Sequence, residues 1–564
     1  MLKLRESLTE LKARERVKAL LDEGTFRELI PPHEQLESPH LAPQGVVPQS
    51  DDGVIVGRGL LGGENAVVVA IEGDFQGGGI GEVAGSKIAG AFERALKDHE
   101  NGIPTRPVLI FDTGGVRLQE ANYGLLTIAE IQASIVALRE KTPVIGIIPG
   151  KIGSFGGMSI AAGLFSKLLI TKEGRLGLNG PEVIEQEAGI EEFDAGDRQL
   201  VWRTVGGEQR QKTDHADTLI EDDIQSIRSQ VMKHFEEPGN EEPRCEQISS
   251  FLHLLHSFDP SESLTPEKYL ALWKESKGAI TIEDETAGMS ISADSNGSKW
   301  FTELMAIDGA VESSQVKTVR CGDTIINGKD ARVLAVVPDK ENKFPRVRGG
   351  EVGLEEGWTI AYHIHQAIEE DKNKEQKRAI VAVVDVPSQA YGYNEELIGI
   401  HLACAAAANA YAKARLAGHP VVSLVVGKAI SGAFLAHGLQ ANRILAVDDP
   451  SVQVQVMSKE SNARITRRSL EQLEQSAKTV PSTAYDIRSF QTLGALHKLI
   501  TDVNASSPLK GDTEKIMKEI DQAIDDSRLG KDHNLQNRLT SKEAVGGGRK
   551  ASLEVRKRLN EQWN

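Results

Sequence analysis

The chain repeats itself once. Pro143–Lys151 is a strand-like apolar run closed by Gly150, and it leads to Ser154-Phe155-Gly156-Gly157 and then Ile160-Ala161-Ala162-Gly163. The same order returns in Pro420–Lys428, closed by Gly427, with Ser431-Gly432-Ala433 and Leu435-Ala436-His437-Gly438 behind it. The two prolines are 277 residues apart, and Gly156 and Gly432 are 276 apart. Upstream, Val108–Asp112 matches Val381–Asp385 at a spacing of 273. The chain has 564 residues, so it reads as two copies of a unit of about 280 residues. Each copy runs strand, glycine turn, helix, which is the order of an α/β architecture.

The rest of the chain fits that frame. Leu4, Leu8, Leu11, Val17, Leu20 and Leu21 recur at helical spacing, with Gly24 as the stop. Gly53–Arg58 and Ala66–Glu72 read as strands, and Lys87–Lys97 as a helix. Thr265-Pro266-Glu267 is an N-cap followed by proline at the first helical position. Asp222–Pro243 is acidic and polar, and Thr281–Lys299 reads as a linker. The seam is expected near residue 285, giving domains 1–285 and 286–564. From Lys510 the tail is charged and helical, broken at Gly546-Gly547-Gly548.

Composition narrows the partners. There are 65 basic and 82 acidic residues, a net charge of −17, which opposes non-specific binding to nucleic acid or anionic membrane. Three distant cysteines form no zinc or redox motif and fit a reducing cytoplasm. Met1–Glu15 has no apolar core of a signal peptide, and the Ala-rich uncharged run from Glu396 to Lys413 is too short to span a membrane. Glycine, with 54 residues, is in excess and points to tight turns and close backbone approach.

The candidate chemistry lies at the two small-residue pairs, Gly156-Gly157 and Gly432-Ala433. The first amides of a helix have no intrahelical partner, and a small residue there lets a ligand oxygen reach them, forming an oxyanion hole. The competing reading is a pair of packing residues at a crowded strand–helix turn. Asp112–Glu120 follows a strand, where α/β ligand sites lie. Gly114 and Gly115 offer ligand-facing amides; Arg117 pairs either with a ligand carboxylate or phosphate or with Glu120. Asn179-Gly180 follows the strand-like Arg175–Leu178. Gly79-Ile80-Gly81 resembles a dinucleotide fingerprint, but Glu82 puts the wrong charge where pyrophosphate would sit. Ser159 reads as a helix residue rather than a nucleophile, and His437 as a packed core histidine.

These residues carry a resemblance. The paired small residues at two helix starts resemble the ββα-superhelix fold of the ClpP/crotonase group in its carboxyltransferase form. The match is closer still to the β and γ subunits of malonate decarboxylase. Leu36–Gly45, Val47–Gly53, Asp112–Asn122, Phe155–Gly163 and Leu176–Gln186 look like the β subunit. Arg348–Trp358, Gln389–Gly399 and Gly427–Gly438 look like the γ subunit. The departure is that both sit on one chain, and the match thins over 240–300.

The resemblance implies an α/β chain of two homologous crotonase-like domains. It implies a cytoplasmic carboxy-lyase that decarboxylates a malonyl thioester on an acyl carrier protein to acetyl thioester and CO2. The alternative is a biotin-dependent carboxyltransferase that moves the carboxyl group to or from a biotin carrier. Gly156-Gly157 would hold the enolate oxygen and Gly432-Ala433 the departing carboxylate, with Gly114, Gly115, Arg117, Asn179, Gly180, Tyr391 and Asn394 against the substrate. Tyr391, Tyr393 and Glu395 are candidate proton donors. No metal and no cofactor bound covalently to this chain are implied. The substrate would ride on a phosphopantetheine or dephospho-CoA-type arm of the carrier. Partners would be that carrier subunit, a malonate:carrier transferase subunit and further copies of the chain. A non-catalytic scaffold would need neither small pair, and a hydratase would need a positioned carboxylate, for which Glu82, Glu120 and Glu182 are the candidates.

Overall fold

Short apolar runs bounded by glycine turns build two sheets. A computed structural model describes residues 5–237, 239, 242–279, 295–306, 310–314, 316–530 and 533–564. The chain packs as two compact units, Met1–Glu246 with Ala551–Asn564, and Gln247–Lys550. Residue 285, where the seam is expected, lies outside the described residues, and residues 247–279 group with the second unit. The final segment, grouped by sequence with the second half, packs in the first unit.

The first unit holds a seven-stranded sheet in sequential order: β1 (Arg27–Leu29), β2 (Val54–Leu61), β3 (Glu64–Ile71), β4 (Arg106–Ile110), β5 (Ile145–Ile148), β6 (Lys167–Thr171) and β7 (Thr218–Ile220). β1–β3 pair antiparallel, and β3 onward pair parallel through helical crossovers. The second unit repeats the plan with β8 (Val311–Ser313), β9 (Val319–Ile326), β10 (Lys329–Val336), β11 (Ala379–Val386), β12 (Val421–Ile430), β13 (Arg443–Val447), β14 (Gln453–Gln455) and β15 (Lys498–Ile500). Its order is β15-β13-β12-β11-β10-β9-β8, with β14 beside β12.

The duplication extends to single residues. The β2–β3 hairpin turns at Gly62-Gly63 and the β9–β10 hairpin at Asn327-Gly328, all four at positive φ, as a two-residue hairpin turn of the I′ kind requires. Gly81 and Gly353 precede matching helices, Glu82–Glu100 and Leu354–Glu370, with the same φ of −114° and ψ of −156°. Each helix then meets its neighbour at a glycine. A β-carbon on Gly85 would lie 2.1 Å from Thr127 Oγ1, and one on Gly357 would lie 2.5 Å from the Ala403 carbonyl oxygen.

Several expectations are adjusted. The first helix covers only Ala13–Leu20, because the Asp222 carboxylate accepts the Leu8 and Thr9 amides at 2.9 and 3.1 Å and pins that stretch outside a helix. Leu4 lies outside the described residues. Of the expected linker, 280–294 lies outside them too, while Lys299 belongs to the helix Asn296–Met305, capped by Ser295. Thr265 caps Pro266–Ser276 as expected. The Ala-rich run forms the buried helix Ile400–Leu416. Among the described residues no helix is long and apolar enough to cross a membrane.

His437 is the packed core histidine that its small-residue surroundings suggested. Its Nε2 lies 3.0 Å from the Val383 carbonyl and its Nδ1 2.9 Å from the Tyr411 hydroxyl. Nε2 therefore carries the proton, and Nδ1 accepts from the tyrosine. Burial pulls its pKa down to about 4, and the bond to Val383 offsets only part of that.

Because the unfolded imidazole titrates near about 6.5, the unfolded chain binds the extra proton first as pH falls. Stability of the second unit should decrease between about pH 6.5 and 4, by on the order of 3 kcal/mol from this residue. Histidine NMR titration should show the His437 ring neutral down to the lower limit. Gly357→Ala should cost about 1–3 kcal/mol in urea unfolding by overpacking, despite its gain in helix propensity. Gly511→Ala, on the helix Lys510–Gly530 with nothing within 4 Å of the new carbon, should be neutral or stabilising.

Candidate active site

In the first unit three loops converge where β4, β5 and β6 end. Beyond β4, Asp112 accepts the Ile152 amide at 2.9 Å and pairs with Arg16 at 3.0 Å. Thr113 bridges Ser154, and Ser154 bridges Leu176, so the three post-strand segments lie side by side. Gly115 sits at φ 106° and Gly156 at φ 56°. A β-carbon on either would come within 3.1 Å of the other's Cα. The Gly156 amide donates to the Leu178 carbonyl at 2.9 Å, next to Asn179 and Gly180. The predicted segments 114–115, 156–157 and 179–180 are thus brought together, but the Gly114 amide donates to the Gly77 carbonyl at 2.8 Å and the Gly115 amide to the Thr113 hydroxyl at 3.0 Å, so these two amides are engaged inside the fold and do not face a ligand as expected.

That bond also revises the first small pair. The Gly156 amide is consumed by the fold, and Gly156 supplies conformation rather than a donor. Gly157 opens the helix Gly157–Gly163, where its amide precedes the helical ladder, while the Ser159 amide already donates to the Gly156 carbonyl at 3.0 Å. Ser159 is a helix residue, as expected; its hydroxyl donates to the Gly156 carbonyl at 2.8 Å. Asn179 is buried, and Gly180 precedes the helix Pro181–Ala188, which carries Glu182 in its first turn.

Arg117 is engaged inside the fold. Its guanidinium lies 2.5 Å from Asp52 and 2.7 Å from Glu120, and it is 2% exposed. The internal pair with Glu120 is therefore the reading that holds, with Asp52 as a second partner that sequence reasoning missed. The same carboxylates cap the helix Glu82–Glu100: Glu120 accepts the Glu82 amide at 3.0 Å and Asp52 the Ala84 amide at 2.9 Å. Burial raises the Asp52 carboxyl to about 6, against the pull of Arg117. This helix start is filled by the protein's own anions, which overrules the dinucleotide reading of Gly79–Gly81. Glu82 in turn lies 2.6 Å from His40 Nε2. Glu82 and Glu120 are thus both engaged inside the fold.

In the second unit Asp385, the counterpart of Asp112, accepts the Lys428 amide at 3.0 Å. Three residues on, Ser431 takes φ 59° and starts the helix Ser431–Ala436, which carries Gly432 and Ala433. The Gly432 amide donates to the Gln389 side-chain oxygen at 3.1 Å. Gln389 was not singled out from the sequence, since nothing local marks a glutamine as a partner for an amide 43 residues away. Its neighbour Ser388 bonds the Tyr391 hydroxyl, which places Tyr391 beside this turn. Asn394 lies half-buried on the next helix, Tyr393–Ile398, and no bond joins it to Gly432 or Ala433.

Comparison with known proteins agrees with this duplicated arrangement. Residues 7–242 match the carboxyl transferase domain and residues 347–563 the malonate decarboxylase gamma subunit. The malonyl-S-ACP:biotin-protein carboxyltransferase MADC of Malonomonas rubra is 38% identical over 281 residues, 48% of this chain and 88% of that protein. MADD of the same organism is 36% identical, covering 45% of this chain and 85% of that protein. Among solved structures, a Pseudomonas malonate decarboxylase hetero-tetramer in complex with malonate contains a chain 53% identical over 48% of this one and 97% of its own length, with a TM-score of 0.47. With a carboxyl transferase domain followed by a malonate decarboxylase gamma-subunit domain, the chain belongs to the malonate decarboxylase and malonyl-S-ACP carboxyltransferase family.

Proposed function

We propose that this chain is an enzyme acting on carboxyl groups, and that it decarboxylates a malonyl thioester presented by an acyl carrier protein. The observation that carries this reading is the main-chain convergence at Gly115, Gly156 and Leu178, which sets the helix start at Gly157 beside the loops that follow β4 and β6. Cleavage of the bond between the α-carbon and the carboxylate sends its electron pair toward the thioester carbonyl and releases CO2. An enolate oxygen forms, and a proton must then be added at the α-carbon. We assign the enolate oxygen to the Gly157 amide, with Gly156 giving the turn its shape. The second unit's turn, with the Ala433 amide and with Gly432 held by Gln389, is assigned to the departing carboxylate. Loss of one donor from such a hole costs about 2.7–4 kcal/mol, or about a hundred- to thousandfold in rate. The carrier's phosphopantetheine-type arm would bring the substrate, a malonate:carrier transferase subunit would load it, and copies of this chain would assemble with them in the cytoplasm.

Carboxyl transfer to a biotin carrier is the second reading. It is favoured by the names of the two Malonomonas rubra relatives, both malonyl-S-ACP:biotin-protein carboxyltransferases. Purified chain given malonyl-loaded carrier, with and without a biotin carrier and avidin, separates the two. Release of CO2 and acetyl carrier unaffected by avidin supports direct decarboxylation, whereas turnover that needs the biotin carrier and stops with avidin supports transfer. In the same assay Gly157→Val should lower turnover at least about a hundredfold while far-UV circular dichroism stays unchanged. Undiminished turnover would overturn the oxyanion assignment.

A further inference from the structure

Within the first unit, Arg175 is a half-buried cation beside the loop that ends in Gly157. It follows β6, and its carbonyl accepts the Ser154 amide at 2.9 Å. The guanidinium lies 5.7 Å from the Phe155 ring and 4.9 Å from the Trp202 ring, and its Nη2 donates to the Lys151 carbonyl at 2.6 Å. Among the described residues no carboxylate pairs with it, and Glu182 and Asp112 act on it only from longer range. Burial pulls its pKa below the usual guanidinium value; Glu182 opposes that pull and Arg198 adds to it. Arg198 opens the helix Arg198–Val205 and lies 4.6 Å from the same indole ring. Its partner Glu173, at 3.2 Å, is on the surface, where such a pair is weak. Two guanidinium groups thus converge on one indole. The ring face attracts each of them but does not remove their mutual repulsion.

The duplication shows that the fold does not need this charge. Arg175 bridges Gly206, and the Leu176 amide donates to the Val205 carbonyl at 2.9 Å. In the second unit Gln453 bridges Asp486, and the Val454 amide donates to the Tyr485 carbonyl at 3.0 Å. One backbone position therefore carries arginine in the first unit and a neutral amide in the second. Arginine is the side chain whose planar fork of donors matches phosphate oxygens, and an anion between Arg175 and Arg198 would offset their repulsion. The position suits a ligand as well, since sites in parallel α/β sheets lie beyond the carboxyl ends of the strands.

We propose that Arg175, assisted by Arg198 at the same indole, binds a phosphate ester, and that this is the phosphate of the arm on which the substrate is carried. It fills the anion-binding role that the sequence suggested for Arg117. The identity of the arm rests on the proposed decarboxylation of a carrier-borne thioester; the phosphate chemistry rests on the two arginines alone.

Binding of 4′-phosphopantetheine, pantetheine and inorganic phosphate to the full-length chain, measured by calorimetry at constant ionic strength, tests this. The wild-type chain should bind 4′-phosphopantetheine about tenfold more tightly than pantetheine. Arg175→Gln, which installs the residue of the second unit, should bring the two within about twofold while pantetheine affinity stays unchanged. Arg175→Lys should keep part of the preference, which separates a lost charge from a disturbed turn. A wild-type chain that does not distinguish the two compounds would overturn the proposal, as would a preference undiminished in Arg175→Gln. Inorganic phosphate competing as tightly as 4′-phosphopantetheine would overturn the assignment to the arm. A preference that fails while CO2 release from malonyl carrier persists removes this site and leaves the reaction; a preference that holds without CO2 release does the reverse.

Discussion

One carboxylate at the end of a central strand sets the geometry of each unit. Asp112 lies just beyond β4 and Asp385 near the end of β11, and each accepts an amide from the chain that leads to the next helix start, Ile152 in the loop after β5 and Lys428 within β12. Both carboxylates sit against glycines, Gly73 and Gly427, where a β-carbon would lie within 2.8 Å of them. The loop so held is the one that delivers the small-residue helix start. Asp112 is buried, and a buried carboxylate needs its hydrogen bonds, so in the first unit the bond to Ile152 constrains the path of that loop. The placement of Gly157 follows from that path.

Close backbone approach explains the glycine excess. Gly78 lies so near the Asp112 carbonyl that a β-carbon would come within 2.0 Å of it, and Gly115 and Gly156 pack main chain on main chain. Contacts of this kind leave no room for side chains at these turns. The same crowding uses up some donors: the Gly156 amide serves Leu178 and the Gly432 amide serves Gln389. Charge is likewise spent inside the fold. Asp52 and Glu120 flank Arg117 and cap a helix, so all three are engaged inside the fold.

What was legible beforehand was local. The repeat at Pro143 and Pro420, the N-cap at Thr265 and the core histidine at His437 each depend on neighbours a few residues away or on composition that a crowded turn imposes. Arg117 stayed ambiguous because one partner, Glu120, is three residues off while the other, Asp52, is 65 residues off. Gln389 was invisible for the same reason. The first helix is shorter than the helical spacing of its leucines suggests, because the distant Asp222 takes the Leu8 and Thr9 amides.

The sequence alone determined the duplicated α/β plan, the two small-residue helix starts and the family, because each is written in short stretches where backbone sterics permit few residues. The tertiary structure decided which amides remain for a ligand, whether Arg117 faces inward, and that the last helix of the second half completes the first unit. Those outcomes turn on hydrogen bonds and ion pairs between residues far apart in sequence, which periodicity and spacing do not encode.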